Sequence, residues 1–132
     1  GYLRGDWPPG ARSLIRYFLA NRNLSRAHRE AYEAIKKQNQ RAQVGIAENV
    51  IWFTRWYNAP RDFFFNHWFL RSVKNFQDFV GINYYFSDRN PESKSDMNWS
   101  IDPEGFYRVL KNAASYKKPI YILQYLRQNA LT

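Results

Sequence analysis

Asp78-Phe79-Val80-Gly81-Ile82-Asn83-Tyr84-Tyr85-Phe86, followed by Ser95-Asp96-Met97-Asn98-Trp99-Ser100-Ile101-Asp102-Pro103-Glu104-Gly105, is the stretch on which the fold turns. The first segment is apolar and rich in aromatic and β-branched residues, which predicts a strand. Because side chains alternate along a strand, Asn83 and Tyr85 project to one side while Ile82 and Tyr84 project to the other. The second segment ends in a helix start: Asp102 as N-cap, Pro103 at the first helical position and Glu104 as an early acid favoured by the helix dipole. That helix is expected to run to Tyr116, where Lys117-Lys118-Pro119 stops it, and the polar, turn-rich Ser87 to Asn98 joins strand to helix.

The same alternation continues on either side. Gly1 to Gly10 carries Pro8-Pro9 and reads as a loop. Ser13 can cap a helix from Leu14 to Gln38, whose apolar residues recur near a 3.6-residue period, with Asn21-Arg22-Asn23 as a place for a kink or division. Val44 to Ala47 is a short strand running into Glu48-Asn49, Pro60 closes an aromatic loop, and Asp62 begins a helix that buries Phe64, Phe65, Trp68, Phe69 and Val73. Pro119 to Ile122 is the third strand, and Gln124 to Leu131 an amphipathic tail. Helices between successive strands predict an α/β fold of parallel strands joined by right-handed crossovers, with 1–132 as a single domain.

These segments resemble glycoside hydrolase family one, the β-glucosidases and β-galactosidases. That family has an aspartate-led apolar strand ending in N-Y-Y, then S-D-M-x-W-x-I-x-P-E-G. Gly1-Tyr2-Leu3-Arg4-Gly5 with Pro9-Gly10, Ala27-His28-Arg29-Glu30-Ala31-Tyr32, Val44-Gly45-Ile46-Ala47 and Pro119-Ile120-Tyr121-Ile122 also match in the family's order. The resemblance implies a partial, open TIM-type β/α barrel of about three parallel strands with flanking helices. The chain's 132 residues are about half of the ~250 that a closed eight-fold barrel needs. It further implies that Asn83 and Tyr85 face a sugar site. In the family the acid/base glutamate lies in a T-F-N-E-P motif before the stretch matched at Gly1, and the nucleophile in a T-E-N-G motif after the strand matched at Pro119 to Ile122. Here that second place reads Leu123-Gln124-Tyr125-Leu126, so both family glutamates are expected to be missing from this truncated stretch.

Composition narrows the partners. Aromatics make up 19% of the chain, with 5 Trp, 10 Tyr and 10 Phe, a content that supports a packed core rather than disorder. Zero cysteines exclude disulfides and thiolate metal sites and fit a cytoplasmic origin, and no apolar run is long enough for a membrane span. No cofactor or metal is expected: His28 and His67 sit on separate predicted helices, and no phosphate-loop, nucleophile-elbow or zinc signature occurs. The net charge of +9 could attract anions, but the basic residues are spread over the predicted outer helix faces, so nucleic acid is not the expected partner.

Parallel β/α folds place ligands at the carboxyl ends of their strands. The residues expected there are Glu48, Asn49 and Trp52, then Asn83, Tyr85 and Asp88, then Gln124 and Tyr125. Glycoside hydrolysis uses two carboxyl groups about 5 Å apart for retention or about 6.5–9.5 Å for inversion. Glu48 and Asp88 are the candidate replacements, with Glu92 and Asp96 further along the loop. Glu48 follows an apolar strand among many rings, which can raise its pKa, and its plain alternative is an exposed acid paired with an arginine. Asn49, Asn83, Tyr85 and Trp52 are the candidate substrate-binding residues. Trp52, Trp56, Tyr57 and Trp99 could offer flat faces to sugar rings, or simply cover an open half-barrel or a subunit contact.

The expected function is that of a truncated family-one-like β-glycosidase that binds a carbohydrate or aryl glycoside, with weak noncanonical O-glycosyl hydrolysis. A non-catalytic remnant or binding module, and anion or nucleic-acid binding through the +9 charge, are the rival readings. Three parallel strands leave two edges with unpaired backbone groups, so homo-oligomerisation is expected. Light scattering should give a concentration-dependent mass above 15.9 kDa; a monomer of that mass at every concentration would refute the expectation.

Overall fold

A computed structural model describes residues 8–87 and 102–125. The chain divides into two compact units, Gly1–Ala42 and Gln43–Thr132. The first contains helix α1, Leu14–Gln38, one uninterrupted helix of 25 residues. Ser13 caps it by accepting the Arg16 backbone N–H at 3.3 Å, and Lys36 and Lys37 sit in its last turn, where cations complement the dipole. The Asn21-Arg22-Asn23 stretch causes no division, because Asn21 directs its amide to the Tyr17 carbonyl at 3.0 Å and stays within the helical ladder.

The second unit is a parallel sheet in the order β1-β2-β3, formed by β1 (Gly45–Trp52), β2 (Phe79–Ser87) and β3 (Ile120–Tyr125). Between β1 and β2 lie a 3-10 turn (Trp56–Asn58), α2 (Ala59–Asp62), a π-helical turn (Phe63–His67) and α3 (Trp68–Val73), contiguous along the chain. Helix α4 (Pro103–Ala114) precedes β3. The expectation of three parallel strands with flanking helices is borne out. Among the described residues no helix is long and apolar enough to cross a membrane.

β2 is the central strand, and its helix-facing row carries the core. Val80, Ile82 and Tyr84 are 0%, 1% and 1% exposed and pack with Val50, Leu70, Val109 and Ala113. Each fully buried aliphatic side chain of this kind contributes about 1.5–3 kcal/mol. The Asp78 carboxylate accepts the Val44 backbone N–H at 2.8 Å, so the residue that leads β2 also fixes where β1 begins. At the other end the Tyr84 hydroxyl reaches the Asp102 carbonyl at 3.4 Å, while Asp102 Oδ1 accepts the Gly105 N–H at 3.0 Å, as a helix N-cap should. A Cβ at Gly105 would collide with the Tyr84 hydroxyl and the Asp102 carboxylate, which is why that place in the first turn holds glycine.

Several boundaries differ from expectation, among them the end of α4, which stops at Ala114 rather than Tyr116. β1 continues through Glu48-Asn49 to Trp52, because in a strand with two differently furnished faces a polar pair does not signal a loop. β3 extends through Gln124 and Tyr125, the expected start of the tail. The helix predicted from Asp62 starts at Ala59, with Pro60 in its first turn, a position where the missing N–H costs nothing. Its buried face is also rotated. Phe69 and Val73 are buried as expected, but Asn66 and Leu70 join them while Phe64 is 38% exposed, because the wider π turn shifts the side-chain phase relative to a 3.6-residue helix.

Asn66 uses that phase shift to close β1. Its Oδ1 accepts the Ile51 N–H at 3.0 Å and its Nδ2 donates to the Ile51 carbonyl at 2.6 Å, so one amide side chain imitates a neighbouring strand. Asn66→Ala should destabilise the protein by about 2–4 kcal/mol, since two backbone groups lose their partner. Urea unfolding checks this, and a loss under about 0.5 kcal/mol would show that the clamp is dispensable.

Glu48 lies on the helix-facing side of β1, in phase with Ile46 and Val50, and burial pushes its carboxyl up from 4.5 to about 7. The folded protein therefore holds a proton that the unfolded chain would release. Stability from this group is complete below about pH 4.5 and declines until about pH 7, by at most roughly 3 kcal/mol. Glu48→Gln should accordingly stabilise the protein by about 2–3 kcal/mol at pH 8 and hardly at all at pH 4. A difference between the two proteins that does not vary with pH, followed by denaturation across that range, would contradict this.

Candidate functional site

The sheet has two faces with different chemistry. One, under α3 and α4, holds the apolar core; the other carries Asn49 on β1, Phe79, Gly81, Asn83 and Tyr85 on β2, and Tyr121 and Gln124 on β3. Asn49 and Asn83 are partners in register, and the Asn83 Nδ2 donates to the Asn49 Oδ1 at 3.0 Å. The Tyr85 hydroxyl donates to the Gln124 Oε1, because β2 and β3 slip register between Ile82 and Asn83 and bring Asn83 opposite Gln124. Toward the strand starts, Phe79 and Tyr121 meet edge to face at 4.6 Å between centroids. Gly81 leaves room for the Leu123 side chain, where a Cβ would also press on the Ile46 carbonyl.

This face thus presents a polar row of three amides and a phenol near the carboxyl ends of the strands. Each amide combines a carbonyl acceptor with an NH2 donor pair, the complement of vicinal hydroxyl groups that both donate and accept. Among the described residues of the row there is no carboxyl group, so the row can orient a polyhydroxy ligand but supplies no proton donor for bond cleavage.

The sequence-predicted site residues separate. Asn49, Asn83 and Tyr85 come together on this face with Gln124. Glu48 does not join them: it was expected just past the end of β1 beside Tyr85, yet it sits in mid-strand on the opposite side, because adjacent residues of a strand face opposite ways. Trp52 likewise packs on the helix side, against the core and near Glu104 and Arg108. Trp56 is 88% exposed and Tyr57 53%. Asp88, Glu92, Asp96 and Trp99 lie outside the described residues.

On the helix side a second polar group appears that the sequence did not announce. The His67 Nε2 stands 3.6 Å from the Asp62 Oδ2 and its Nδ1 3.4 Å from the Tyr116 hydroxyl. Burial alone would raise the Asp62 carboxyl, but hydrogen bonds from His67 and Asn66 outweigh it and hold the group below its ordinary range. Burial raises the Tyr116 phenol, against the opposing pull of Arg71 and with a smaller push from Glu48. Asp62 and His67 are five apart and would diverge by about 140° on an α-helix; the π turn brings them into line. Among the described residues no group of histidines and acids is placed to hold a metal ion.

No protein-family model matches the chain, and no curated protein does. Solved structures do. A β-glucosidase from Thermotoga maritima in complex with deoxynojirimycin superimposes with a TM-score of 0.72 at 24% identity, covering 92% of this chain and 39% of that one. Fpglu1 from Fervidobacterium pennivoraus gives 0.76 at 24% identity, with 88% and 34% covered. A hyperthermophilic β-glucosidase mutant, dodecameric in its crystal form, gives 0.78 at 22% identity, with 99% and 37% covered. The chain therefore spans between a third and two fifths of the length of these proteins. The Thermotoga enzyme is described as a family 1 β-glucosidase, so the resemblance read from the N-Y-Y and P-E-G motifs holds at the level of fold, and the chain has the architecture of a partial family 1 β-glucosidase barrel.

Proposed function

We propose that this chain is a glycosidase-derived carbohydrate-binding segment, and that the Asn49–Asn83–Tyr85–Gln124 row receives the hydroxyl groups of a β-glucoside or aryl glycoside. The observation that carries the reading is the pair of cross-strand contacts, Asn83 to Asn49 and Tyr85 to Gln124, which aligns amides and phenol on one face. The fold shared with β-glucosidases supports it, since the Thermotoga enzyme is seen with deoxynojirimycin. Binding is favoured over hydrolysis because Glu48, the raised carboxyl of β1, is on the other side of the sheet. Any hydrolysis would lack the factor of about 10²–10⁴ that positioned acid/base groups supply.

Titration of the highly purified protein with a nitrophenyl β-glucoside, followed by NMR shifts of the Asn and Gln side-chain amides, tests the reading. Tyr85→Phe should weaken binding by about 2- to 12-fold, the worth of one neutral hydrogen bond. Asn83→Ala should weaken it further by breaking the row at its centre. Any slow release of nitrophenol should persist in Glu48→Gln. Binding untouched by both row variants, or turnover abolished by Glu48→Gln, would move the site off this face.

A further inference from the structure

The side of α3 and α4 away from the sheet row contains a cleft of about 910 Å³. Arg71 and Lys74 line it from the end of the α3 segment, Arg108 and Lys111 from α4, and Lys118 from the turn before β3, with Tyr116 among the remaining lining groups. Among the described residues that line it there is no aspartate or glutamate. Five cations, contributed by three segments, therefore converge on one hollow, and a cleft lined by one sign of charge focuses the field within it.

The five are not equivalent. Arg71 lies 5.3 Å from the Phe63 ring centroid and interacts with the Tyr116 phenol. Lys118 donates to the Gln77 carbonyl, and Arg108 meets Glu104 at 3.3 Å on the exposed side of α4. These contacts anchor three walls of charge. Lys74 and Lys111 are exposed and, among the described residues, have no hydrogen-bond or ion-pair partner, so two unneutralised ammonium groups share the cleft with the three anchored cations. Two carboxyls lie on the helix side without lining the cleft: Asp62 is engaged by Asn66 and His67, and Glu48 belongs to the sheet layer below. Asn75 and Asn112 add neutral amide groups to the same hollow, while the Ser115 hydroxyl donates to the Asn112 carbonyl at 2.6 Å.

We propose that this cleft binds small polyanions carrying two or more phosphate groups. Several separated cations match a chain of phosphates better than a single carboxylate, and guanidinium and ammonium groups are the usual partners of phosphate oxygens. The volume lies within the range of about 300–1,000 Å³ typical of small-molecule sites, which favours a compact ligand over a duplex that needs an extended charged surface. Nucleotide polyphosphates and inorganic polyphosphate share this chemistry. The site is separate from the sugar row, which occupies the other face of the sheet.

The test is calorimetric titration of the 132-residue chain at pH 6.5 and low salt with inorganic tripolyphosphate, ATP and adenosine. Tripolyphosphate and ATP should bind and adenosine should not; ATP binding more tightly than tripolyphosphate would identify the nucleotide as the source, equal binding the phosphate chain alone. The double variant K74E/K111E should weaken both by at least tenfold. A control of equal charge change on α1, R16E/R22E, should alter them less than threefold. Circular dichroism confirms that both variants fold, and K74M/K111M, which keeps the aliphatic stems, should weaken binding to a lesser extent than the glutamates. Equal loss in the cleft and α1 variants, unchanged binding in K74E/K111E, binding of adenosine as tight as ATP, or tighter binding of a DNA duplex than of tripolyphosphate would each overturn the proposal.

Discussion

The burial of Val80, Ile82 and Tyr84 beneath α3 and α4 is the constraint on which the rest of the described fold depends. β2 is paired on both sides, so its register determines β1 and β3 together. Once those three side chains face the helices, Asn83 and Tyr85 must face the other way. A slip of one residue would exchange the apolar and polar sets, exposing the core row and burying two polar groups beneath the helices, away from their partners Asn49 and Gln124. The polar row is thus a consequence of core packing rather than an independent construction.

That coupling explains which parts were legible in the sequence. The Asp78–Phe86 run and the Asp102-Pro103-Glu104-Gly105 helix start carry their own local chemistry, alternation in one case and capping in the other, and both stand where they were expected. The pairing of Asn83 with Tyr85 on one face followed from parity alone. Glu48 was misplaced because parity needs a strand boundary to be applied, and the polar pair Glu48-Asn49 obscured it. Both residues lie within β1, one beneath helices and one opposite them. The grouping of Asp62, His67 and Tyr116 left no trace in spacing, since it depends on a π turn and on a tyrosine 49 residues beyond His67, in the turn after α4. The cationic cleft was equally hidden: its lysines and arginines looked scattered until α3, α4 and the Lys118 turn were set side by side.

The two faces divide the polar chemistry of the second unit. Neutral amides and a phenol lie on one side of the sheet, where the chemistry suits hydroxyl groups. Charge lies on the other, outside the helices, with a raised carboxyl and a lowered one between. A sheet only one strand-thickness deep keeps these environments apart because the backbone itself is the partition, and no side chain of β1 can serve both.

The π turn at Phe63–His67 places an insertion-like step inside an otherwise continuous helical segment. In the wide turn a residue five positions on stands where ordinary winding would put one four positions on, so removing one of the three phenylalanines would close the turn and leave Phe69, Leu70 and Val73 in phase with the core. The segment can therefore gain or shed one residue at this place without turning the face that it buries, and the spare residue of the turn is a step in chain length that the packing beyond it does not register.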